Sequence, residues 1–171
     1  MIYPFHDKHP AIAKTAFIAD YVTITGDVEI GEYSSIWFNT SIRGDVSKTI
    51  IGNNVNVQDN SVLHQSPNAP LILEDGVTVG HSVILHSSII RKNALIGMGS
   101  LILDGAEIGE GAFIGAGSLV PPGKVIPPHS LAFGRPAKVI RALTEEDVAD
   151  MNRIRREYNE KGQYYKSLQK K

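Results

Sequence analysis

The 171-residue chain contains no cysteine, so it can form no disulfide bond and offers no thiolate to a metal ion. Its 17 basic and 18 acidic residues nearly cancel, which gives no bias toward a nucleic acid or another polyanion. No apolar run approaches the ~20 residues that cross a bilayer, and the first residues lack the basic and apolar parts of a secretory signal. We therefore expect a cytoplasmic protein that binds neither nucleic acid nor membrane.

What the chain does have is a six-residue repeat, interrupted by two short insertions. Aliphatic residues mark its phase, and residues four places further on are mostly small or β-branched. The aliphatic positions are Ile18, Ile24, Ile30, Ile36, Ile42, Ile51, Val57, Leu63, Leu73, Val79, Leu85, Ile90, Ile96, Ile102, Ile108, Ile114, Val120 and Ile126. A period of six sustained over ~18 units is typical of a β-helix.

The period predicts the geometry. Three hexads form one triangular coil, and successive coils lie ~4.8 Å apart, so about six coils give a prism ~30 Å long. After the exit segment 131–141, Thr144 and Asp147 have the spacing of a helix N-cap. We predict a mainly β fold, with a parallel β-helix over residues 1–140. Residues 141–171 would form a C-terminal α-helix that packs on the β-helix or on a neighbouring subunit.

The repeat phase places three histidines. His64 and His86 each follow an inward leucine, and they are 22 residues apart. This separation is one coil of 18 residues plus four additional residues in the segment 65–72. The two histidines therefore stack on one face in adjacent coils. His81 is two places after Val79, on the preceding face, and the extended residues between 81 and 86 span up to ~16 Å. Because zinc–nitrogen bonds are ~2.0–2.1 Å long, His81 must come from another subunit if the three share an ion.

The same counting brings other polar residues near these histidines. Arg43 falls one coil below His64, and Asp59 falls one coil below His81. The position after the inward aliphatic is glycine in many coils. In the middle of the chain it is polar instead: Arg43, Gln58, His64 and His86. This replacement predicts a functional site where two faces meet.

In these motifs the chain resembles the gamma-class carbonic anhydrases. The resemblance runs from about residue 10 to Arg141. It rests on Arg43-Gly44-Asp45, Asn56-Val57-Gln58-Asp59-Asn60, His64, Gly80-His81, His86 and Gly97-Met98-Gly99. Hexapeptides alone also occur in many acyltransferases, whereas three histidines with Arg-x-Asp and Gln-Asp at these phases are much more specific. The resemblance implies a left-handed β-helix with a C-terminal helix, and a homotrimer with a metal site at each subunit interface.

The resemblance also implies an activity and residue roles. His64, His81 and His86 would bind Zn²⁺, with two of them from one subunit and one from the next; Fe²⁺ and Co²⁺ also suit three imidazoles. A metal-hydroxide mechanism would then hydrate carbon dioxide to bicarbonate. The residues with implied catalytic or supporting roles are Gln58, Arg43, Asp45, Asp59 and Asn56. Gln58 would orient the hydroxide or the substrate, and Arg43 would pair with Asp45 or Asp59 across the interface.

One feature departs from the archaeal prototype of that family. The prototype carries proton-relaying glutamates directly after Arg-x-Asp and on a long acidic loop before the second histidine. Here Val46 follows Asp45, and the loop is only residues 65–70, without an acid. Slow proton removal would therefore keep the activity low, unless Glu74, Asp75, a tyrosine or buffer replaces the relay.

Two other functions stay open at this stage. A hexapeptide acyltransferase would use an acyl-CoA donor and one histidine as a base. It would not need three histidines at repeat positions that allow them to bind one metal ion. A non-catalytic trimeric scaffold would keep the metal for assembly alone, with Arg43, Asp45 and Asp59 as an inter-subunit salt-bridge network. Metal analysis separates the acyltransferase from the others, and a carbon dioxide hydration assay separates the enzyme from the scaffold.

The C-terminal segment has its own pattern. Val148, Met151, Ile154 and Tyr158 follow at helical spacing, which predicts one apolar face. For Tyr158, Tyr164 and Tyr165 we expect packing rather than a role in the site. We interpret the basic residues as a solvated face and a basic helix end rather than as a nucleic-acid patch: Arg153, Arg155, Arg156, Lys161, Lys166, Lys170 and Lys171.

Overall fold

Parallel strands, most of them only two or three residues long, follow one another up to Gly134, and an antiparallel strand that ends at Ala142 and one helix come after them. The computed structural model describes residues 1–169, so Lys170 and Lys171 lie outside it. In chain order the elements are β1 (Ile2–Tyr3), β2 (Ala11–Ile12), β3 (Phe17–Ile18), β4 (Thr23–Ile30), β5 (Ser35–Ile36), β6 (Ser41–Ile51), β7 (Asn56–Val57), β8 (Val62–His64), β9 (Leu71–Leu73), β10 (Thr78–Val79), β11 (Ile84–His86), β12 (Ile89–Ile90), β13 (Leu95–Ile96), β14 (Leu101–Ile102), β15 (Glu107–Ile108), β16 (Phe113–Ile114), β17 (Leu119–Val120), β18 (Val125–Ile126), β19 (Ser130–Gly134), β20 (Ala137–Ala142) and α1 (Glu145–Leu168).

The strands stack into the three faces of a left-handed parallel β-helix, which confirms the predicted fold class. The histidine face consists of β1, β8, β11, β14, β17 and the first halves of β4 and β6. The helix face consists of β3, β5, β7, β10, β13, β16 and β19, and the antiparallel strand β20 extends it. The third face holds β2, β9, β12, β15, β18 and the second halves of β4 and β6.

The β-helix has about seven turns, one more than the repeat predicted. The additional turn comes from the two ends of the chain, where the hexad pattern is weakest. Ile2 pairs with Ile24, and Ile12 pairs with Ile30, so the first residues complete the turn that contains Ile18. At the other end Ala132, rather than a large aliphatic residue, occupies the inward position next to Ile114.

The core lies inside the prism, where the aliphatic positions of the repeat point. Leu85 pairs in register with Leu63 on one side and with Ile102 on the other, and all three are fully buried. Burial of such side chains typically stabilises a fold by ~1.5–3 kcal/mol each. Ile18 is only partly buried, because its strand lies in the first turn of the helix face and is stacked on one side only.

Helix α1 begins with the predicted cap. The Thr144 side chain accepts from the Asp147 amide, and the Asp147 carboxylate accepts in return from the Thr144 amide. The helix then packs on β3, β5 and β7 of its own chain. Trp37 anchors it through edge contacts with Tyr158 and Tyr165, at ring-centroid distances of 5.3 and 5.7 Å.

The exposed side of the helix carries ion pairs. Arg153 bridges Asp150 and Glu157, at 2.6 and 2.8 Å between nitrogen and oxygen. Such surface pairs contribute at most ~1 kcal/mol each to the stability of the fold. Arg153 is therefore paired with acidic residues of its own helix. Within residues 1–169, no helix combines the length and the apolar character that a membrane crossing needs.

Candidate metal centre

His64 and His86 lie side by side on the histidine face, as the repeat phase predicts. The two residues pair in register between β8 and β11. His64 Nδ1 is 3.2 Å from His86 Nε2. Two nitrogens bound to one tetrahedral ion at ~2.0–2.1 Å are about 3.3–3.4 Å apart. The separation of this pair therefore fits two ligands of one divalent metal ion.

His81 lies away from that pair, at the end of the helix face. Its Nδ1 is 2.9 Å from Asp59 Oδ2, and its Nε2 is 3.3 Å from the Tyr158 hydroxyl. Across the described part of the chain, no three histidine, cysteine, aspartate or glutamate side chains are grouped closely enough to hold a metal ion. A single chain thus brings together two of the three predicted ligands and leaves the third apart.

Each of the three histidines has an aspartate at its other ring nitrogen. His64 Nε2 is 3.2 Å from Asp45 Oδ1, Asp59 contacts His81, and His86 Nδ1 is 2.9 Å from Asp104 Oδ2. A carboxylate there holds the ring proton on its own side and leaves the opposite nitrogen free to donate its lone pair. The nitrogens opposite the aspartates are Nδ1 of His64 and Nε2 of His86, which face each other, and Nε2 of His81, which faces the Tyr158 hydroxyl.

Arg43 keeps the aspartate behind His64 ionised. The Arg43 Nε donates to Asp45 Oδ2 at 3.0 Å. Partial burial raises the pKa of Asp45, but the hydrogen bond and the positive charge of Arg43 outweigh it and lower the pKa below its usual range, with further help from the Asp45 backbone amide and from His64. The resemblance implied a pairing of Arg43 with Asp45 or Asp59 across an interface; the pairing with Asp45 forms within one chain.

Gln58 ends a short ladder of buried amides. Its Nε2 donates to Asn56 Oδ1 at 3.0 Å, and Asn56 Nδ2 donates to Thr78 Oγ1 at 2.9 Å. The ladder fixes the Gln58 side chain, and no side chain among residues 1–169 donates to its Oε1. Gln58 lines a mostly apolar cavity of about 300 Å³ beside His81 and Tyr158. Gln58 therefore borders a space large enough for a small molecule.

Tyr158 contacts His81, although the sequence favoured packing for this residue. Its ring does pack against Trp37, but its hydroxyl also reaches His81. Burial, together with the negative charge of Asp59, raises the pKa of the Tyr158 hydroxyl, so the group stays protonated at neutral pH. The helical spacing placed Tyr158 on the buried side of α1, but it did not indicate that this side passes over His81.

Sequence reasoning missed Asp104 and Ser66. Asp104 lies 18 residues after His86, but this coil is one residue shorter, since Leu85 pairs with Ile102, so the repeat phase did not point to Asp104. Ser66 Oγ donates to Asp104 Oδ1 at 2.5 Å. The Ser66 hydroxyl first, and then the His86 ring, hold the pKa of Asp104 below its usual range against the opposing effect of burial. Asp104 is therefore ionised at neutral pH.

Comparison with known proteins gives two kinds of description. The family model "Bacterial transferase hexapeptide (six repeats)" matches residues 87–122. The chain is 77% identical to a protein of Geobacillus kaustophilus (strain HTA426) described as a carbonic anhydrase, over 99% of this chain and 93% of that protein. It is 74% identical to the "uncharacterized transferase YtoA" of Bacillus subtilis (strain 168), over 99% of each. A solved Bacillus cereus structure, provisionally described as an acetyltransferase, has a TM-score of 0.97 at 77% identity and covers 98% of both chains.

The transferase descriptions and the carbonic anhydrase description share the hexapeptide repeat. They differ in the chemistry that they name, and the repeat does not decide between them. The match to the Geobacillus protein extends over nearly the whole of both chains, and it includes the region of the three histidines. The chain belongs to the gamma-class carbonic anhydrase family of hexapeptide-repeat proteins.

Proposed function

We propose that the protein is a cytoplasmic, homotrimeric carbonic anhydrase that uses a divalent metal, Zn²⁺ in the first place, to hydrate carbon dioxide reversibly to bicarbonate. The observation that supports this most is the 3.2 Å approach of His64 Nδ1 to His86 Nε2. A second support is that all three histidines have an aspartate behind them. A closed ring of three subunits, joined by heterologous contacts, would place His81 of each subunit beside the histidine pair of the next.

The residues divide the chemistry among them. When bound, a divalent metal would lower the pKa of water to ~7 and supply hydroxide at neutral pH. Neutral His64, His81 and His86 would hold it and leave a fourth position open. Gln58 Oε1 would accept a hydrogen bond from the nucleophile and orient it toward the carbon of carbon dioxide. One carbon–oxygen bond forms, one carbon–oxygen π bond opens to give bicarbonate, and one proton leaves the site for each water consumed.

An acyltransferase and a metal-stabilised scaffold are the competing functions. The descriptions of several relatives favour the first. An acyltransferase base, however, needs one histidine whose second nitrogen faces substrate, whereas here the free nitrogens of two histidines face each other. This mutual approach suits a shared cation better than proton abstraction from a substrate.

The decisive experiment combines element analysis of anaerobically purified protein with a carbon dioxide hydration assay. We expect about one metal ion per subunit and hydration that is lost in His86→Ala. Full metal content without hydration would identify the scaffold. No bound metal, together with acyl transfer from acetyl-CoA, would identify the transferase.

Replacing Gln58 should reduce turnover without releasing the metal. The Gln58→Ala variant lacks the acceptor oxygen but keeps all three histidines and their aspartates. Loss of one such hydrogen bond, ~1–1.5 kcal/mol, corresponds to about tenfold lower hydration activity. Metal content per subunit and kcat/KM for hydration would be measured together. As a control, Gln163→Ala removes an amide that binds the Thr15 carbonyl far from the site, and it should change neither quantity. Metal loss in Gln58→Ala would instead assign Gln58 a structural role.

Proton removal should limit turnover, because the loop before the second histidine carries no acid. Val46 follows Asp45 and has an exposed fraction of 44%, so Val46→Glu adds an exposed carboxylate beside the site. We expect a severalfold higher kcat for this variant at low buffer concentration, and a similar rise for the wild type when buffer is added. The control Val125→Glu places the same charge on the third face, at another exposed valine. If the wild-type kcat at saturating carbon dioxide does not change with buffer concentration, then proton transfer does not limit turnover.

A further inference from the structure

Asp104 supports His86 with both of its carboxylate oxygens engaged. Oδ2 lies 2.9 Å from His86 Nδ1, and Oδ1 accepts from the Ser66 hydroxyl at 2.5 Å. Neither Asp104 nor Ser66 belongs to the motifs on which the family resemblance rests. Two hydrogen bonds from different directions fix the plane of the Asp104 carboxylate. Without them this side chain, which is 43% exposed, could rotate.

The serine that orients Asp104 is itself tied to the residue after His86. The Ser66 amide donates to Ser87 Oγ at 2.6 Å, and Ser87 Oγ donates to the Ala69 carbonyl at 2.9 Å. Ser66 and Ala69 also form an antiparallel bridge. Ser87 is buried, so this anchor is shielded from water. The insertion of residues 65–70 is thus a closed loop that holds Ser66 against Asp104.

Asp104 differs from the other two supporting aspartates. Asp45 shares its charge between His64 and Arg43, and Asp59 lies near the helix and Tyr158. No lysine or arginine of the described residues pairs with Asp104. Its negative charge therefore acts on His86 without a competing cation, and it favours the tautomer with the proton on Nδ1. In that tautomer the lone pair is on Nε2, the atom that faces His64.

We infer that Asp104, oriented by Ser66, is a positioning residue that fixes the ring and the tautomer of His86 and thereby sets the metal affinity of the site. The inference rests on the proposed metal site. The inference also gives a function to the loop 65–70, which carries no acid that could relay protons. This loop supplies the Ser66 hydroxyl that orients the Asp104 carboxylate.

The test is a measurement of metal affinity in four variants of the full-length protein. Zinc dissociation constants come from competition with a chelator, and the visible absorption of bound Co²⁺ reports the ligand geometry. Outer-shell partners of metal-binding histidines typically contribute 10–100-fold to affinity, so we expect a weakening of ~10–100-fold for Asp104→Ala. Asp104→Asn still accepts a hydrogen bond and should weaken binding less. Ser66→Ala should shift affinity in the same direction with the smallest effect. The control Asp20→Asn removes an exposed carboxylate elsewhere and should match the wild type.

The Co²⁺ spectrum and the melting temperature of the metal-free protein separate positioning from a general loss of structure. A positioning role predicts an altered Co²⁺ spectrum in Asp104→Ala, an unchanged metal-free melting temperature, and partial recovery in Asp104→Asn. Wild-type affinity and spectrum in Asp104→Ala would overturn the inference while the proposed function stands. The graded loss of affinity in a protein without hydration activity would support the inference and remove the proposed function. A wild type that binds neither Zn²⁺ nor Co²⁺ would overturn both.

Discussion

Mixed trimers assembled from two metal-free variants should recover a metal site. A chain with His81→Ala keeps the pair His64 and His86, and a chain with both of those replaced by alanine keeps His81. Pure trimers of either variant lack a complete site at every interface. In a cyclic trimer that contains both chains, one interface joins the two intact halves in the correct orientation. We therefore expect about one tightly bound metal ion per mixed trimer, with a corresponding share of the hydration activity.

A second mixture provides a sharp control for this result. Chains with His64→Ala and chains with His86→Ala both keep His81, but neither keeps the full pair. If the pair always comes from one subunit, their mixed trimers have no complete interface and should remain metal-free. The variants would be unfolded and refolded together, separated by a charge tag, and analysed for metal and for mass by light scattering. Metal recovery in the control mixture, or mixed trimers of the first kind without metal, would contradict the shared site.

The positions of the histidines could be predicted because they depend on counting alone. In a β-helix the inward aliphatics fix the register, and the structure pairs His64 with His86 and stacks Val57 with Val79 as counted. The number of turns was wrong by one, since the first turn is completed by Ile2 and Ile12. These residues precede the region in which the hexad pattern is regular, and they join the stack through backbone pairing.

The supporting groups were harder to predict because they depend on side-chain reach across elements. Tyr158 contacts His81 although the two residues are 77 positions apart, and the path of the helix across the face cannot be counted from a repeat. Asp104 was missed for a different reason. Leu85 and Ile102 are 17 residues apart, one fewer than a regular coil, so counting from the leucines does not place Asp104 beside His86.

Gly44→Ala should be among the most damaging single substitutions in this chain. Gly44 lies in β6 between Arg43 and Asp45, and it pairs in register with Gly26 of β4. A Cβ at position 44 would lie 2.4 Å from the Asp27 carbonyl oxygen, a backbone atom that cannot rotate away. The two strands must therefore separate where they carry the arginine and the aspartate of the site.

The expected loss is about 3 kcal/mol in the free energy of unfolding per subunit, accompanied by weaker metal binding as Asp45 moves away from His64. Gly117→Ala is the matched control. Gly117 has a φ of +71° but no neighbouring atom within 4 Å of an added Cβ, so alanine there meets only the backbone strain of ~1–2 kcal/mol. Denaturant unfolding of the metal-free proteins at equal subunit concentration, followed by zinc titration, compares the two. If Gly44→Ala is no less stable than Gly117→Ala and binds zinc normally, then β4 and β6 tolerate a wider spacing, and the close approach of their backbones does not position Asp45.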